Sequence, residues 1–233
     1  MKTIGLIGGM SWESSLEYYR IINEQVKERL GGLHSAECIL YSVDLEKIEK
    51  LQHAEEWGEL AAIMINIALK LQDAGAQGVI ICSNTMYKVA EKVQENLKIP
   101  LIHIVDATAA EIKKKSLKKI ALLGTRFTME DDFYRRRLRE KHGIDTITPG
   151  KTDREKIHRI IYSELCKGIV KKSSKKELVK IIRKLAAEGA EGVILGCTEI
   201  PLLVKQEDAA IPVFNTTEIH AKAAADFMLS PST

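Results

Sequence analysis

A thiol and a hydroxyl, Cys197 and Ser83, each follow a short run of apolar residues in nearly the same local sequence. Residues 75–85 align without gaps on residues 189–199, and the same glycine, alanine and valine positions recur in both segments. Just past a strand, backbone N–H groups and the positive end of a helix dipole would lower a cysteine pKa from about 8.5 to roughly 3.5–7.5, which would make the thiolate a base. The alternative for Cys197 is an inert buried cysteine, a common fate of a free thiol, and the repetition favours a function.

The repetition extends beyond these two segments. Residues 3–8 resemble residues 119–124, and an Ile-Pro pair precedes a strand in each half. The chain is therefore predicted to contain two copies of one α/β unit. Ligands of open α/β sheets bind beyond the carboxyl ends of the strands. We therefore expect two pseudo-twofold-related lobes with the active site in the cleft between them, where Ser83 and Cys197 face each other.

Short runs rich in Ile, Val and Leu alternate with longer amphipathic stretches, which predicts parallel sheets flanked by helices. The predicted strands are 4–7, 79–82, 101–105, 120–123, 193–195 and 213–214. The predicted helices are 14–30, 57–74, 108–115, 130–141, 153–167, 175–187 and 217–228. We expect residues 1–100 with 212–233 to form one lobe and residues 101–211 to form the other.

The composition argues against several classes of protein. Since 35 basic residues nearly balance 32 acidic ones, for a net charge of +3, no global field favours nucleic acid or a membrane as a partner. Basic runs such as 113–115 and 171–176 lack interleaved aromatic residues and are typical of solvated helix faces. No apolar run approaches the roughly 20 residues that span a bilayer, and the N-terminus lacks the apolar core of a signal peptide. We therefore expect a cytoplasmic protein.

The cysteines and histidines are scattered along the chain. Without a CxxC pair or an HxxxH pair, the sequence favours free thiols and predicts no metal site.

Four segments resemble motifs of the aspartate/glutamate racemase superfamily, whose paired signatures are usually written CNT and GCTE. Residues 83–85, Ser-Asn-Thr, are similar to the first signature, and residues 196–199, Gly-Cys-Thr-Glu, match the second. Residues 8–10 resemble the family's N-terminal loop, and residues 124–129 resemble the opening loop of its second half. The resemblance spans almost the whole chain.

In that family two cysteines flank the substrate α-carbon, and no pyridoxal phosphate is used, so the resemblance implies an enzyme without a cofactor. Inverting a carbon centre requires a proton path on each face. The carbanion also needs hydrogen-bond donors on its carboxylate, which Asn84, Thr85 and Thr198 could supply. The resemblance places further substrate-binding residues at Met10, Ser11, Gln52, Thr125, Thr128 and Glu199. Glu164 is a candidate for the substrate ammonium group, with an exposed helix acid as the alternative.

The sequence departs from the family pattern at the first signature. Ser83 replaces the first cysteine, and Tyr87 replaces the histidine that often follows. A hydroxyl is far less acidic than a thiol, although the superfamily includes a subgroup with a hydroxyl here and a restricted stereochemical preference. Cys82 is not expected to substitute, because successive strand side chains point to opposite faces. The prediction is racemisation of aspartate or glutamate, with Cys197 as the principal acid or base and unequal rates from the two enantiomers.

Other functions remain open on the sequence alone. No arginine stands at a signature position to clamp a substrate side-chain carboxylate, which leaves Lys47, Lys50 and Lys167 as candidates. Single-cysteine relatives include decarboxylases of substituted malonates and cis-trans isomerases of maleate. A small-molecule binding protein with one catalytic group lost is the non-enzymatic alternative. Because racemases of this kind often dimerise, the resemblance also implies a homodimer.

Overall fold

The structure is a computed structural model that describes residues 1–231 and divides into two compact units. Of the described residues, the first unit comprises Met1–Ile104 and 220–231, and the second comprises Val105–Ile219. The second unit therefore runs past the expected boundary at residue 211. The reason is that the strand at Val213–Asn215 pairs with the sheet of the second unit.

In the first unit a parallel sheet has the strand order β2-β1-β3. Its strands are β1 (Ile4–Gly8), β2 (Cys38–Ser42) and β3 (Gly78–Ile81). Its helices are α1 (Trp12–Leu30), α2 (Leu45–His53), α3 (Trp57–Asp73) and α4 (Ala90–Glu95), and a short 3₁₀ helix covers Thr85–Val89.

In the second unit a parallel sheet has the strand order β5-β4-β6-β7. Its strands are β4 (Lys119–Gly124), β5 (Asp145–Ile147), β6 (Gly192–Gly196) and β7 (Val213–Asn215). The helices that follow in the chain are α5 (Ile104–Lys114), α6 (Arg126–Glu130), α7 (Asp132–His142), α8 (Lys151–Ser163), α9 (Lys172–Ala187) and α10 (Thr216–Leu229). Short 3₁₀ helices lie at Leu165–Lys167, Ile200–Leu202 and Gln206–Asp208.

Helices cover both faces of the first sheet. Ile4 and Leu6 of β1 pack with residues of α1 and α10 in one buried cluster. Gly5, between them, points to the opposite face, where a Cβ atom would meet Leu71 of α3 at 3.1 Å. Because both faces are covered, β1 and β3 are buried along their whole length, as is typical of parallel sheets.

The second sheet is buried in the same way. Ala121 and Leu123 of β4 pack with apolar residues of α8 and α9 in one cluster, to which Val193 and Leu195 of β6 also belong. The intervening Leu122 is fully buried as well, although it points to the other face. The predicted α/β architecture, with parallel sheets flanked by helices, is therefore confirmed.

The strand predicted at 101–105 is wrong. Leu101 makes an isolated parallel bridge to Val79, and α5 already begins at Ile104. The first hydrogen bond of a parallel pairing with β3 is present, since Ile102 N–H donates to the Val79 carbonyl at 2.9 Å. It stops because the next donor, Ile81 N–H, bonds to the Tyr87 hydroxyl at 3.3 Å instead of to backbone.

The prediction also missed five elements, β2, β5, α2, α4 and the five-residue α6. β2 and β5 are edge strands with partly or fully exposed residues. β5 has only three residues and no apolar run, whereas residues 38–41 of β2 are apolar and were overlooked. The helix α4 has only six residues, too few for a helical period to show.

Candidate active site

The loop after β1 holds two predicted binding residues at the carboxyl edge of the first sheet. Gly9 has φ +88°, and a Cβ atom there would lie 2.2 Å from the Val43 carbonyl oxygen, so the close approach requires glycine. The Ser15 hydroxyl accepts from Gly9 N–H at 2.8 Å and donates to the Ser11 carbonyl at 2.9 Å. Ser11 caps α1, and its neighbour Met10 is buried beside it.

The segment after β3 carries the first signature at the same edge. Cys82 N–H donates to the Ile7 carbonyl at 2.9 Å, and the Cys82 carbonyl accepts from the Ser14 hydroxyl at 3.5 Å. These bonds fix the backbone just before Ser83, which is 7% exposed, and the following Asn84 and Thr85 are also buried. The structure therefore places Ser83, Asn84 and Thr85 beside the loop after β1.

Cys82 does not substitute for a catalytic cysteine. Its side chain is buried in the cluster formed by the first sheet, α1 and α10, as the alternation of strand side chains predicted. Burial raises the pKa of the Cys82 thiol well above its ordinary value, because the interior disfavours the thiolate.

Gln52 lies at the same edge, although it comes from a helix that the sequence did not predict. It is buried on α2, and its side-chain amide donates to Met86 Sδ at 3.2 Å. Met86 follows directly after the first signature. The structure therefore brings Gln52 against the segment that carries Ser83.

In the second unit the segment after β4 packs closely against the end of β6. A Cβ atom on Gly124 would lie 2.7 Å from the Gly196 carbonyl oxygen and 3.0 Å from Thr128 Cβ. Thr125 caps α6 by accepting from Thr128 N–H, and the two hydroxyl oxygens are 3.2 Å apart. Thr125 and Thr128 therefore lie beside the segment that leads into Cys197.

Cys197 follows β6 and is hydrogen-bonded to a buried carboxylate. Its Sγ donates to Glu199 Oε2 at 2.9 Å, and the Thr198 hydroxyl donates to the same oxygen at 2.8 Å. Cys197 is 6% exposed and Glu199 is 4% exposed. Among the predicted substrate-binding residues, Glu199 thus has its carboxylate directed at the candidate catalytic thiol.

The predicted lowering of the Cys197 pKa is wrong. Burial, followed by the negative charge of Glu199, raises the pKa of the thiol well above its ordinary value. No long helix begins at this position to offset these effects, because only the 3₁₀ turn Ile200–Leu202 follows. Cys197 therefore rests as a thiol that holds its proton against Glu199.

Glu164, the candidate for the substrate ammonium group, is hydrogen-bonded to residues at the start of α9. Its carboxylate accepts from the Ser174 hydroxyl at 2.6 Å and from Lys171 Nζ at 3.2 Å. The bond from Ser174 is the main reason that the pKa of Glu164 is lowered. Glu164 thus ties the end of α8 to the start of α9.

The lysine candidates for a substrate carboxylate are exposed. Lys50 pairs with Glu46 across one turn of α2, and Lys47 and Lys167 are at the surface. Within residues 1–231, no group of three or more His, Cys, Asp or Glu side chains is arranged to hold a metal ion. Nor does any helix in that range combine the length and apolar character needed to span a bilayer.

The family model of the Asp/Glu/hydantoin racemases matches residues 7–224 of this chain. The chain belongs to this family. Accordingly, it is an isomerase of the amino-acid racemase type, and the resemblance seen in the two signatures is confirmed.

Two solved structures of similar chains agree with the family assignment. A protein from Yersinia pestis assigned to the Asp/Glu racemases is 56% identical, with a TM-score of 0.92 over 99% of this chain and 100% of that chain. An aspartate racemase homologue from Pyrococcus horikoshii is 38% identical, with a TM-score of 0.85 over the same shares. The broad specificity amino-acid racemase of Bacillus subtilis is 22% identical over 179 residues, which cover 74% of each chain.

The sequence analysis did not predict that His220 lies near the segment that carries Ser83. His220, on α10, lies 3.2 Å from the Tyr87 hydroxyl through its Nε2 atom and is fully buried. Nothing in the sequence near His220 points to the Ser83 segment. The signal that was available is the tyrosine at position 87, where the family's first signature is often followed by histidine.

Proposed function

We propose that this chain interconverts the enantiomers of an acidic amino acid, aspartate or glutamate, without a cofactor, with Cys197 and Ser83 serving opposite faces of the α-carbon. One observation carries the proposal: the buried Cys197 thiol donates to the buried Glu199 carboxylate at 2.9 Å. A thiol that rests protonated beside a carboxylate can exchange its proton with that carboxylate, which is what a residue that both takes and returns a proton needs.

The proton inventory of this pair explains how Cys197 works as a base. Transfer of the thiol proton to Glu199 leaves a thiolate, which then removes the α-proton of the substrate and becomes a thiol again. In the reverse direction the thiol donates its proton to the carbanion and recovers one from Glu199. After abstraction the pair holds one extra proton on Glu199, and it returns to its starting state when Glu199 releases that proton to solvent while the Ser83 alkoxide takes one up. In the reverse direction Glu199 takes up a proton from solvent and passes it to the thiolate.

Ser83 transfers protons at the other face of the α-carbon less readily than Cys197 does at its own. Its hydroxyl donates a proton to the carbanion only if the resulting alkoxide is reprotonated, and it removes an α-proton only as an alkoxide. Because a serine hydroxyl is far less acidic than a thiol, abstraction by Ser83 is the slower of the two directions. Hydrogen bonds from Asn84, Thr85 and Thr198 to the substrate carboxylate would stabilise the carbanion that both directions share.

The test is proton NMR of L- and D-aspartate and of L- and D-glutamate with the purified enzyme in deuterium oxide, with no cofactor added. We expect loss of the α-proton signal, faster from one enantiomer than from the other. Cys197→Ala should abolish this loss. Cys166→Ala is the matched control, because Cys166 packs against the same apolar cluster as Cys197 and should be dispensable.

Three results would contradict the proposal. Exchange that persists in Cys197→Ala removes Cys197 from the chemistry. Turnover of an arylmalonate or of maleate, with all four amino acids inert, would select the decarboxylase or isomerase alternatives. Stabilisation by one of the amino acids without exchange would select a binding protein, because a ligand raises the melting temperature even when nothing reacts.

We also propose that the enzyme is a cytoplasmic homodimer whose partners are small molecules rather than nucleic acid or membrane. The similarity to racemases of this type supports the proposal. Light scattering coupled to gel filtration should give twice the monomer mass, and a monomer mass at micromolar concentration would contradict it.

A further inference from the structure

The Tyr87 hydroxyl occupies the place of a backbone hydrogen bond at the end of β3. It accepts from Ile81 N–H at 3.3 Å and donates to the Ile102 carbonyl at 2.9 Å. Before this point the parallel ladder is regular, since Val79 N–H donates to the Pro100 carbonyl and Ile102 N–H donates to the Val79 carbonyl. In a parallel ladder the next bond would join Ile81 directly to Ile102. The hydroxyl is inserted between the two and ends the pairing there.

His220 holds this hydroxyl in place. Its Nε2 lies 2.8 Å from the Ile102 carbonyl and 3.2 Å from the Tyr87 oxygen, and its Nδ1 lies 2.8 Å from the Tyr18 hydroxyl. A carbonyl can only accept, so Nε2 carries the proton. Burial lowers the pKa of His220 to about 4, so at neutral pH the Nδ1 atom is bare and accepts from Tyr18.

The bond between Tyr87 and Ile81 closes a loop that contains Ser83. The two ends of this loop, Ile81 and Tyr87, are pinned to each other by the hydroxyl, and within it Tyr87 N–H also donates to the Asn84 carbonyl at 3.2 Å. The loop is therefore closed by the Tyr87 side chain, which in turn contacts His220 of α10, and not by the hydrogen bonds of the sheet alone. A small change at Tyr87 would move the Ser83 hydroxyl without touching Cys197.

We propose that Tyr87, oriented by His220, is a positioning residue for Ser83 and sets the rate of proton transfer on the Ser83 face. The inference rests on the proposed function. In this inference Cys197 and Glu199 control proton transfer on one face of the α-carbon, and the Tyr87–His220 pair controls it on the other. A single measurement of activity would not distinguish these two roles.

The experiment compares Tyr87→Phe with wild type by deuterium incorporation from each enantiomer, with kcat and KM measured separately. The Ser83-dependent enantiomer is the one whose incorporation is lost in Ser83→Ala. In Tyr87→Phe we expect its kcat to fall at least about tenfold, with KM and the other enantiomer changed less than about threefold. Tyr18→Phe is the matched control, because it removes a hydroxyl from the same imidazole without opening the loop, and both directions should stay within about threefold.

If Tyr87→Phe folds poorly, a second pair of variants, both at His220, tests the same inference. His220→Leu removes the group that orients Tyr87 and should give the same directional loss, whereas His220→Gln restores an N–H donor and should recover part of the rate. Equal loss in both directions, or the same asymmetry in Tyr18→Phe, would overturn the inference and leave the proposed function standing. No exchange from either enantiomer by wild type would overturn the proposed function and the inference with it.

Discussion

The Cys197 thiol and the Glu199 carboxylate lie 2.9 Å apart, both buried, at the carboxyl end of a central strand of the second sheet. Burial and, after it, the charge of the carboxylate raise the thiol pKa instead of lowering it. The relationship therefore favours a thiol that donates and recovers a proton over a permanently ionised nucleophile. The effect of the Glu199 charge can therefore be measured through the pH at which Cys197 ionises.

Replacing Glu199 by glutamine should separate these effects. The amide cannot accept the thiol proton, so deuterium incorporation should fall by about 100-fold or more. Because the Glu199 charge contributes to the raised pKa, alkylation of Cys197 by iodoacetamide should begin at lower pH in the variant than in wild type. Glu207→Gln, an exposed acid of the same unit, serves as the control. An unchanged alkylation profile would show that the two groups are not coupled.

Substitutions at Ser83 should change the two directions unequally. Ser83→Ala should retain exchange from the enantiomer attacked by Cys197 but lose inversion, because no group returns a proton on the other face. Ser83→Cys places a more acidic group there and should raise the slower rate by at least about tenfold. Chiral chromatography beside NMR exchange measures both quantities. Equal inversion by wild type and Ser83→Ala would remove Ser83 from the mechanism.

His220 should make stability depend on pH. Its pKa is lowered from 6.5 to about 4, so between these values the unfolded chain binds more protons than the folded chain. Stability is then fully present above about pH 6.5 and falls as the pH drops, by roughly 2 kcal/mol at pH 5. The polar groups around the imidazole are the Tyr18 and Tyr87 hydroxyls and the Ile102 carbonyl, and the ring of His103 makes a tilted contact with Tyr87.

Urea denaturation at pH 7 and pH 5 measures this effect against His220→Gln, which lacks the titrating group. The difference in unfolding free energy between the two pH values should be smaller in the variant by about the stated amount. The same loss in both proteins would assign the acid sensitivity to other groups.

Gly9→Ala should destabilise the first unit. Gly9 has φ +88°, and a Cβ atom would collide with the Val43 backbone at 2.2 Å, so we expect a loss of about 2 kcal/mol or more. Gly58→Ala is the matched control, because Gly58 lies in α3 with no neighbour within 4 Å of the added atom. That change should be neutral or stabilising by up to about 1 kcal/mol. Thermal unfolding compares them, and equal melting temperatures would contradict the steric argument.

The sequence by itself determined the architecture and the positions of Ser83 and Cys197. Buried parallel strands must be apolar along their whole length, so β1, β3, β4 and β6 stand out as runs of Ile, Val and Leu. A polar residue directly after such a run lies at the carboxyl edge of the sheet. Local pattern and internal repetition are therefore enough to find both residues.

Only the tertiary structure decided what surrounds them. The pKa of Cys197 depends on burial and on the carboxylate of Glu199 turning back toward the thiol, and neither is visible in the spacing of two residues. The strand predicted at 101–105 ends early because Tyr87 and His220, 133 positions apart in the chain, meet at Ile102. Local sequence records which side chains are buried, but electrostatics and hydrogen bonding depend on groups that only folding brings together.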